Sequence, residues 1–293
     1  MKQIGIFGHW NPDDPKIVGD YEFTPLGYAH KVLPKATDWE LSRWRDAFDL
    51  LIIAPFGADP PSLIEAYGQS LRGGKARLAV WSFDSHNPEA AEKEAAASRH
   101  VDVWFSAHSH CVATIGPKAI WMPCCYCWHS AKDPRWAFDL DPALAKMDVS
   151  CFARPYLQRA FWMENFKGSC SRLGLRYFIG QTDIGTAMDL YQWSKAVFNP
   201  PIYHDLNIRF FEAWAANRPI VATPAWDLND PRFTSLKESV FLLPDELLTK
   251  WDDELVGEMV LRAIAKSPTN TRSEILRSHM LINRYEEITL KSL

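Results

Sequence analysis

The sequence predicts an α/β protein with two doubly wound, Rossmann-like domains. Three observations predict it. Apolar runs too short to be helices alternate with amphipathic stretches, the pattern of repeated β–α units. The alternation stops at a polar, proline-bearing stretch, residues 135–146, and then starts again. In the second half, Phe198 to Pro224 reads as a complete β-loop-α-β unit, the building block of a parallel sheet.

In order, Ile4–Gly8 is a buried strand and His9–Asp20 a polar loop. No Gly-x-Gly-x-x-Gly follows the strand, so a dinucleotide fingerprint is absent. His9 and Asn11 stand where an open sheet places ligands, and a loop histidine bonded to nearby backbone is the plainer reading. Pro25–Pro34 is expected to be a short helix, Trp39–Phe48 an amphipathic helix and Asp49–Ala54 a strand. A helix starts at Ser62, a plausible N-cap with Glu65 three residues on. Arg77–Ser82, Val101–Phe105 and Ala119–Met122 are strands, and Glu89–Arg99 is a helix.

The second half repeats the scheme. Asp148–Phe152 is a strand, Tyr156–Leu173 a helix, Arg176–Ile179 a strand and Thr182–Ser194 a helix. Ala196–Phe198 is the strand that opens the central unit. A Pro-Pro loop and a polar turn lead from it into the helix Ile208–Ala216. Asn217 is placed to end that helix in a left-handed conformation, and Pro219 blocks its continuation. Ile220–Thr223 and Phe241–Leu243 are strands, Asp252–Ala265 is a helix, and Asn270–Leu290 is expected to be one final helix. The domains are then 1–145 and 146–270, with a closing helix over 271–293.

The 293 residues suffice for two modest cores, and 47% hydrophobic with 23% charged content is ordinary for a globular protein. A net charge of −4 gives no general pull toward nucleic acid or anionic membrane. No run of ~18 apolar residues suggests a membrane span, and the start is too quickly polar for a signal peptide. Six cysteines without such a leader point to a reducing cytoplasm rather than a disulfide scaffold. Thirteen tryptophans are read chiefly as core, although aromatic faces also serve sugar sites.

The central unit opens onto a helix N-terminus, where backbone N–H groups and the helix dipole favour an anion such as phosphate. The run Asn207-x-Arg209-x-Phe211-Glu212, with Pro219-Ile220-Val221 after it, resembles the donor-site signature of two-domain (GT-B) glycosyltransferases. The likeness is to the branch related to spore-maturation glycosyltransferases. Asp148–Ala153 resembles the opening strand of the donor domain, Trp193–Asn199 the strand before the signature, and Ser278-His279 through Arg284-Tyr285 the closing helix. The match runs from about residue 146 to the end and is thin before it.

The resemblance implies two domains facing each other across a cleft and transfer from a nucleotide sugar, UDP being the commonest nucleotide of that class. No metal and no other cofactor is expected. Glu212 is expected to hold a ribose hydroxyl pair, which suits an acceptor-only carboxylate. Asn207 and Arg209 would frame the diphosphate, and Arg159, with Arg154 close behind, would neutralise it. The competing readings are a solvent-facing Glu212 paired with Arg209 at i+3, and solvated arginines at a helix start. Many retaining members carry two glutamates with seven residues between. Here His204 occupies the first position, with Asp205 beside it, so either residue is a candidate to contact the sugar. Lys195 is read as structural.

In the first domain, Asp84 and His86 follow a central strand and are the candidates for the acceptor base; Asp84 as a helix cap is the alternative. His108, His110 and Cys111, with Cys124, Cys125, Cys127 and His129, have zinc-type donors without the usual spacing. A nucleotide-sugar transferase leads. A non-catalytic nucleotide- or sugar-binding protein of the same architecture and a zinc enzyme are the alternatives. The acceptor classes are carbohydrate, protein, small molecule or a modified base in DNA.

Overall fold

The computed structural model describes residues 2–7, 20–21, 28–32, 38–54, 61, 64, 70, 73–83, 87–126, 144–156, 158–182 and 184–293. The chain divides into two compact units, one of residues 1–123 with 282–293, the other of residues 124–281. Each is an α/β unit on its own sheet, as the apolar patterning predicts.

Among the described residues the first unit has seven strands: β1 Lys2–Phe7, β2 Asp20–Tyr21, β3 Tyr28–Val32, β4 Leu50–Ile53, β5 Arg77–Ser82, β6 Val103–Ser106 and β7 Ala119–Trp121. Their order is β2-β3-β1-β4-β5-β6-β7, and only β2 runs antiparallel to its neighbour. Helices α1 Asp38–Ala47, α2 Pro88–Ser98 and α3 Val112–Ile115 lie between strands. β4 is buried along its whole length, as a strand covered on both faces should be. Val80, Leu51, Ile53, Ala91, Ala97 and Trp104 build one side of the core.

One expectation fails here. Residues 28–32 form a strand, not a helix, because they pair in register with β1 from Lys2↔Tyr28 to Ile6↔Val32. That partner is remote in sequence, so tertiary pairing overrides local preference. The cap of α2 is Asn87, whose side chain accepts from the Ala90 N–H at 2.8 Å. Ser62 and Glu65, and with them the expected helix cap, lie outside the described residues.

The second unit has β8 Met147–Phe152, β9 Tyr177–Gly180, β10 Ser194–Asn199, β11 Ile220–Ala222 and β12 Val240–Leu242. They form an all-parallel sheet ordered β12-β11-β10-β8-β9. The helices are α4 Gln158–Arg172, α5 Ile184–Gln192, α6 Ile208–Ala215, α7 Thr234–Lys237, α8 Asp253–Ala265, α9 Arg272–Ser278 and α10 Leu281–Ser292, the last passing into the first unit. Phe166 of α4 stacks on Phe198 of β10 with centroids 3.8 Å apart, inside a core that α8 completes with Val256, Val260 and Ala263. On the other face Phe210, Phe211 and Trp214 of α6 are fully buried.

Asn217 takes φ +55° after α6, as its position predicts. Its side chain also accepts from the N–H groups of Thr271 (3.0 Å) and Arg272 (2.7 Å), so the residue that ends α6 caps α9 as well. The expected single final helix is broken into α9 and α10. At the break His279 O accepts from Tyr126 N (2.8 Å) and Leu281 N donates to Tyr126 O (3.1 Å), so the backbone there serves a distant partner instead of the helix.

Among the described residues no helix is long and apolar enough to cross a membrane.

Candidate nucleotide-sugar site

In the second unit the chain goes from β8 to β9 on one side and reaches β10 on the other. The β8/β10 boundary is therefore the topological switch point, where loops diverge and leave a crevice at the carboxyl ends of the strands. Two segments reach it. One runs from Ala153 into α4, and the other from Asn199 into α6.

The second segment is tightly built. Asn207, the N-cap of α6, accepts from Arg209 N at 3.1 Å. The same oxygen accepts from Asn199 Nδ2 at 3.1 Å, which ties the last residue of β10 to the helix cap. Between them Tyr203 and His204 sit at φ +57° and +58°. Such conformations cost on the order of 1–3 kcal/mol each in non-glycine residues and persist where neighbours enforce them. Thr223 Oγ1 donates to Pro201 O (3.1 Å), Trp226 N donates to His204 O (3.0 Å), and His204 Nδ1 bonds Pro224 O (3.2 Å).

The ionisable groups converge on this loop. Arg159 is only 5% exposed, its Nε donating to Pro200 O at 2.9 Å and its guanidinium 4.9 Å from the Tyr156 ring. Burial holds its pKa below the ordinary arginine range, and the like charge of Arg209 lowers it further; Tyr156, Asp205 and Cys151 act the other way. Arg209 is half-buried, whereas Arg154 is exposed. Asp205, Asn207 and Glu212 are buried. Burial raises the Tyr191 phenol well above its usual value, the Glu212 carboxylate adds to the rise, and Arg209 opposes it. Burial likewise pushes the Cys151 thiol up to about 12 against the pull of Arg209 and Arg159. Arg159, Arg209, Glu212, Asp205 and Tyr191 thus share one electrostatic neighbourhood.

The structure brings together Arg159, His204, Asp205, Asn207, Arg209 and Glu212. It excludes the two plain alternatives for Arg159 and Glu212, since Arg159 is not solvated and Glu212 does not face solvent. Arg154 has the exposed, helix-start character of the bland reading. Asp84 and His86 lie outside the described residues, as do His9, Asn11, Cys127 and His129. Around the ends of β5 and β6, Glu94 accepts from Ser82 Oγ and from Trp104 Nε1 (3.0 Å), and His108 Nε2 bonds Phe83 O at 2.8 Å. Among the described residues no group of three His, Cys, Asp or Glu side chains is placed to hold a metal. Lys195 is structural as read, its ammonium 2.8 Å from Asp148.

Sequence reasoning missed Asn199, Tyr191 and Trp226 as site residues. Asn199 and Trp226 had a usable signal, since each lies at or just after the carboxyl end of a strand. Tyr191 had none, being one more aromatic on a buried helix face.

A parallel-sheet α/β unit with an arginine-lined helix N-terminus at its switch point, joined to a second α/β unit, defines a protein of the GT-B glycosyltransferase fold. The glycosyl transferase-like family model matches residues 141–289, just over half of the chain, and the chain belongs to that family. No curated protein gives a significant sequence match. Among solved structures, the chain is similar to an α-glucosyltransferase in complex with UDP and a 13-mer DNA containing a central A:G mismatch. The TM-score is 0.58 at 14% identity, over 99% of this chain and 100% of the other. It is also similar to TarM, with TM-score 0.56 and 9% identity, over 86% of this chain and 57% of that one. A sucrose-phosphate synthase from Thermosynechococcus elongatus aligns with TM-score 0.48 and 12% identity, over 100% of this chain and 95% of the other.

Proposed function

We propose that this protein transfers a sugar from a nucleotide sugar, a UDP-sugar by the habit of the family, to an acceptor hydroxyl without an obligatory metal. The C-terminal unit is the donor side. Arg159, Arg209 and the N-terminal N–H groups of α6 hold the diphosphate, Glu212 holds the ribose hydroxyls, and His204 or Asp205 contacts the sugar. The N-terminal unit supplies the acceptor side, with Asp84 or His86 taking the proton. In the reaction the bond from the anomeric carbon to the diphosphate oxygen breaks and a bond to the acceptor oxygen forms. The acceptor's proton goes to the base, and the nucleoside diphosphate leaves with the electron pair.

One observation carries the reading. The buried Arg159, fixed by its bond to Pro200 O at 2.9 Å, and the half-buried Arg209 in the first turn of α6 both border the loop that enters the Asn207-capped N-terminus of α6. Guanidiniums beside the free N–H groups of a helix start favour an anion, and a diphosphate leaving group is the anion this chemistry generates. We place the chain near the spore-maturation branch on the order of its donor-domain motifs, and in a reducing cytoplasm on its cysteine usage, Cys151 and Cys170 being buried packing residues.

The test is a thermal-shift panel of UDP, GDP, ADP and CMP with their sugar conjugates, on wild type and Glu212→Ala. A ligand at ~100 times its Kd stabilises by ~2.7 kcal/mol, a readable shift. One nucleotide stabilising wild type but not the variant supports the site; no stabilisation by any of them overturns it. Turnover of that donor, unchanged by EDTA, separates a transferase from a binding protein of the same architecture. Asp84→Ala with unaltered turnover would remove Asp84 as the base. Acceptors to screen are saccharides, proteins, small molecules and DNA with modified bases.

A further inference from the structure

We propose that Trp226 is a positioning residue for recognition of the donor sugar. Its indole holds the His204 ring so that Nε2 accepts a hydrogen bond from a sugar hydroxyl. The inference rests on the donor-site reading above and names a residue outside the signature that carries it.

β10 and β11 are neighbours, with Asn199 opposite Ala222, so the loops that follow them leave the sheet side by side at its carboxyl edge. His204 lies on the first loop and Trp226 on the second, where a short 3-10 turn, Trp226–Asn229, begins. Their rings stack with centroids 4.4 Å apart and planes within 12°. The backbone joins in, Trp226 N donating to His204 O at 3.0 Å. His204 and Tyr203 are both left-handed, a conformation that persists only where neighbours enforce it, and the Trp226 loop is what His204 is fastened to.

The fastening also selects a tautomer. The Pro224 carbonyl can only accept, so His204 Nδ1, 3.2 Å away, carries the ring proton. In the neutral imidazole Nε2 then has the lone pair and is an acceptor. A carboxylate at this position would offer a hydroxyl the same thing. Trp226 is 53% exposed, so the stack leaves much of the indole accessible to solvent.

The experiment is calorimetric titration of the full chain with UDP, GDP and ADP, each free and as its glucose conjugate, and with UDP-galactose and UDP-N-acetylglucosamine. It compares wild type, Trp226→Ala, Trp226→Phe and His204→Ala. In Trp226→Ala, affinity for the free nucleoside diphosphate should stay within about twofold, while the extra affinity contributed by the sugar falls about five- to tenfold. Trp226→Phe should restore most of it, and His204→Ala should show the same loss. A Trp226→Ala protein that weakens free and sugar-bearing nucleotides equally, or keeps the wild-type ratio, overturns the inference and leaves the nucleotide site standing. So does a wild type that binds no sugar conjugate better than its free nucleotide. Absence of binding by any nucleotide overturns the donor-site reading itself.

Discussion

Asn199 and Asn207 join their side-chain amides across the loop between β10 and α6. Asn199 Nδ2 lies 3.1 Å from Asn207 Oδ1, and Asn207 Nδ2 lies 3.4 Å from Asn199 Oδ1. Asn207 Oδ1 also caps α6, so one oxygen fixes both the helix start and the end of the strand. Asn207→Ala should cost about 1–2 kcal/mol in urea unfolding, the loss of a cap and a buried partner. Asn207→Asp keeps the shared acceptor and is a good cap, but it loses the Nδ2 donor to Asn199 Oδ1 and sets two oxygens against each other there, so its stability should fall between that of wild type and Asn207→Ala. It also puts a negative charge where the diphosphate should lie, and UDP affinity should fall about tenfold or more. A well-folded Asn207→Asp protein with unchanged UDP affinity would move the diphosphate away from the α6 N-terminus.

Arg159 and Arg154 are expected to separate. Arg159 is buried and oriented by Pro200 O, whereas Arg154 is exposed. Hydrogen bonds to charged groups contribute about 1.5–3 kcal/mol each, so Arg159→Met should weaken UDP at least about tenfold and uridine hardly at all. Arg154→Met should have the smaller effect. Without nucleotide, Arg159→Met should unfold within about 1 kcal/mol of wild type, because removing a buried cation offsets the hydrogen bond lost at Pro200. Equal losses for UDP and uridine would show that Arg159 shapes the site without touching phosphate.

Glu212 is tested through its partner. If it holds the ribose diol, wild type should prefer UDP to 2′-deoxy-UDP by about tenfold, and Glu212→Gln should narrow that to about twofold. A discrimination that survives the substitution would assign the ribose to another group. Tyr191 is the first to examine, since its phenol already responds to the Glu212 charge.

The extent to which this was legible varies with how local the cause is. The β10–loop–α6–β11 unit could be read because apolar runs, an N-cap asparagine and a left-handed Asn217 are all encoded within a few residues of where they act. The strand Tyr28–Val32 could not, because what makes it a strand is β1, far away in sequence. The break at His279 was hidden in the same way, its cause being the backbone of Tyr126. In the site, the type and order of the arginines were visible, but not which was buried. That is decided by Pro200 O, supplied 41 residues beyond Arg159. Trp226 was one of thirteen tryptophans; its place after β11 was visible, but its stack on His204 follows from the adjacency of β10 and β11, which only the fold provides.

Acid stability should be governed in part by Asp148, at the amino end of β8. Burial by itself would raise its pKa. Three attractions outweigh that: the Lys195 ammonium at 2.8 Å, the Arg176 N–H at 2.9 Å and the Arg176 guanidinium at 3.4 Å. Together they bring the carboxyl from its ordinary 3.8 to about 2. Lys195 lies on β10 and Arg176 just before β9, so this carboxylate fastens the strands on either side of β8. A carboxyl whose pKa is lower in the folded chain than in the unfolded one binds its proton more readily once unfolded. Its contribution is therefore complete above the unfolded value and is lost as pH falls from about 4 through 2. Allowing for its partial exposure, the contribution near neutrality is about 1–2 kcal/mol. Asp148→Asn should be less stable than wild type by that amount at pH 7, and the difference should shrink as pH drops through this window. Urea unfolding of both proteins at pH 7, 4 and 3 measures it. A gap that stays constant down to pH 3 would mean that packing and hydrogen bonding at Asp148, rather than its charge, hold the three strands together.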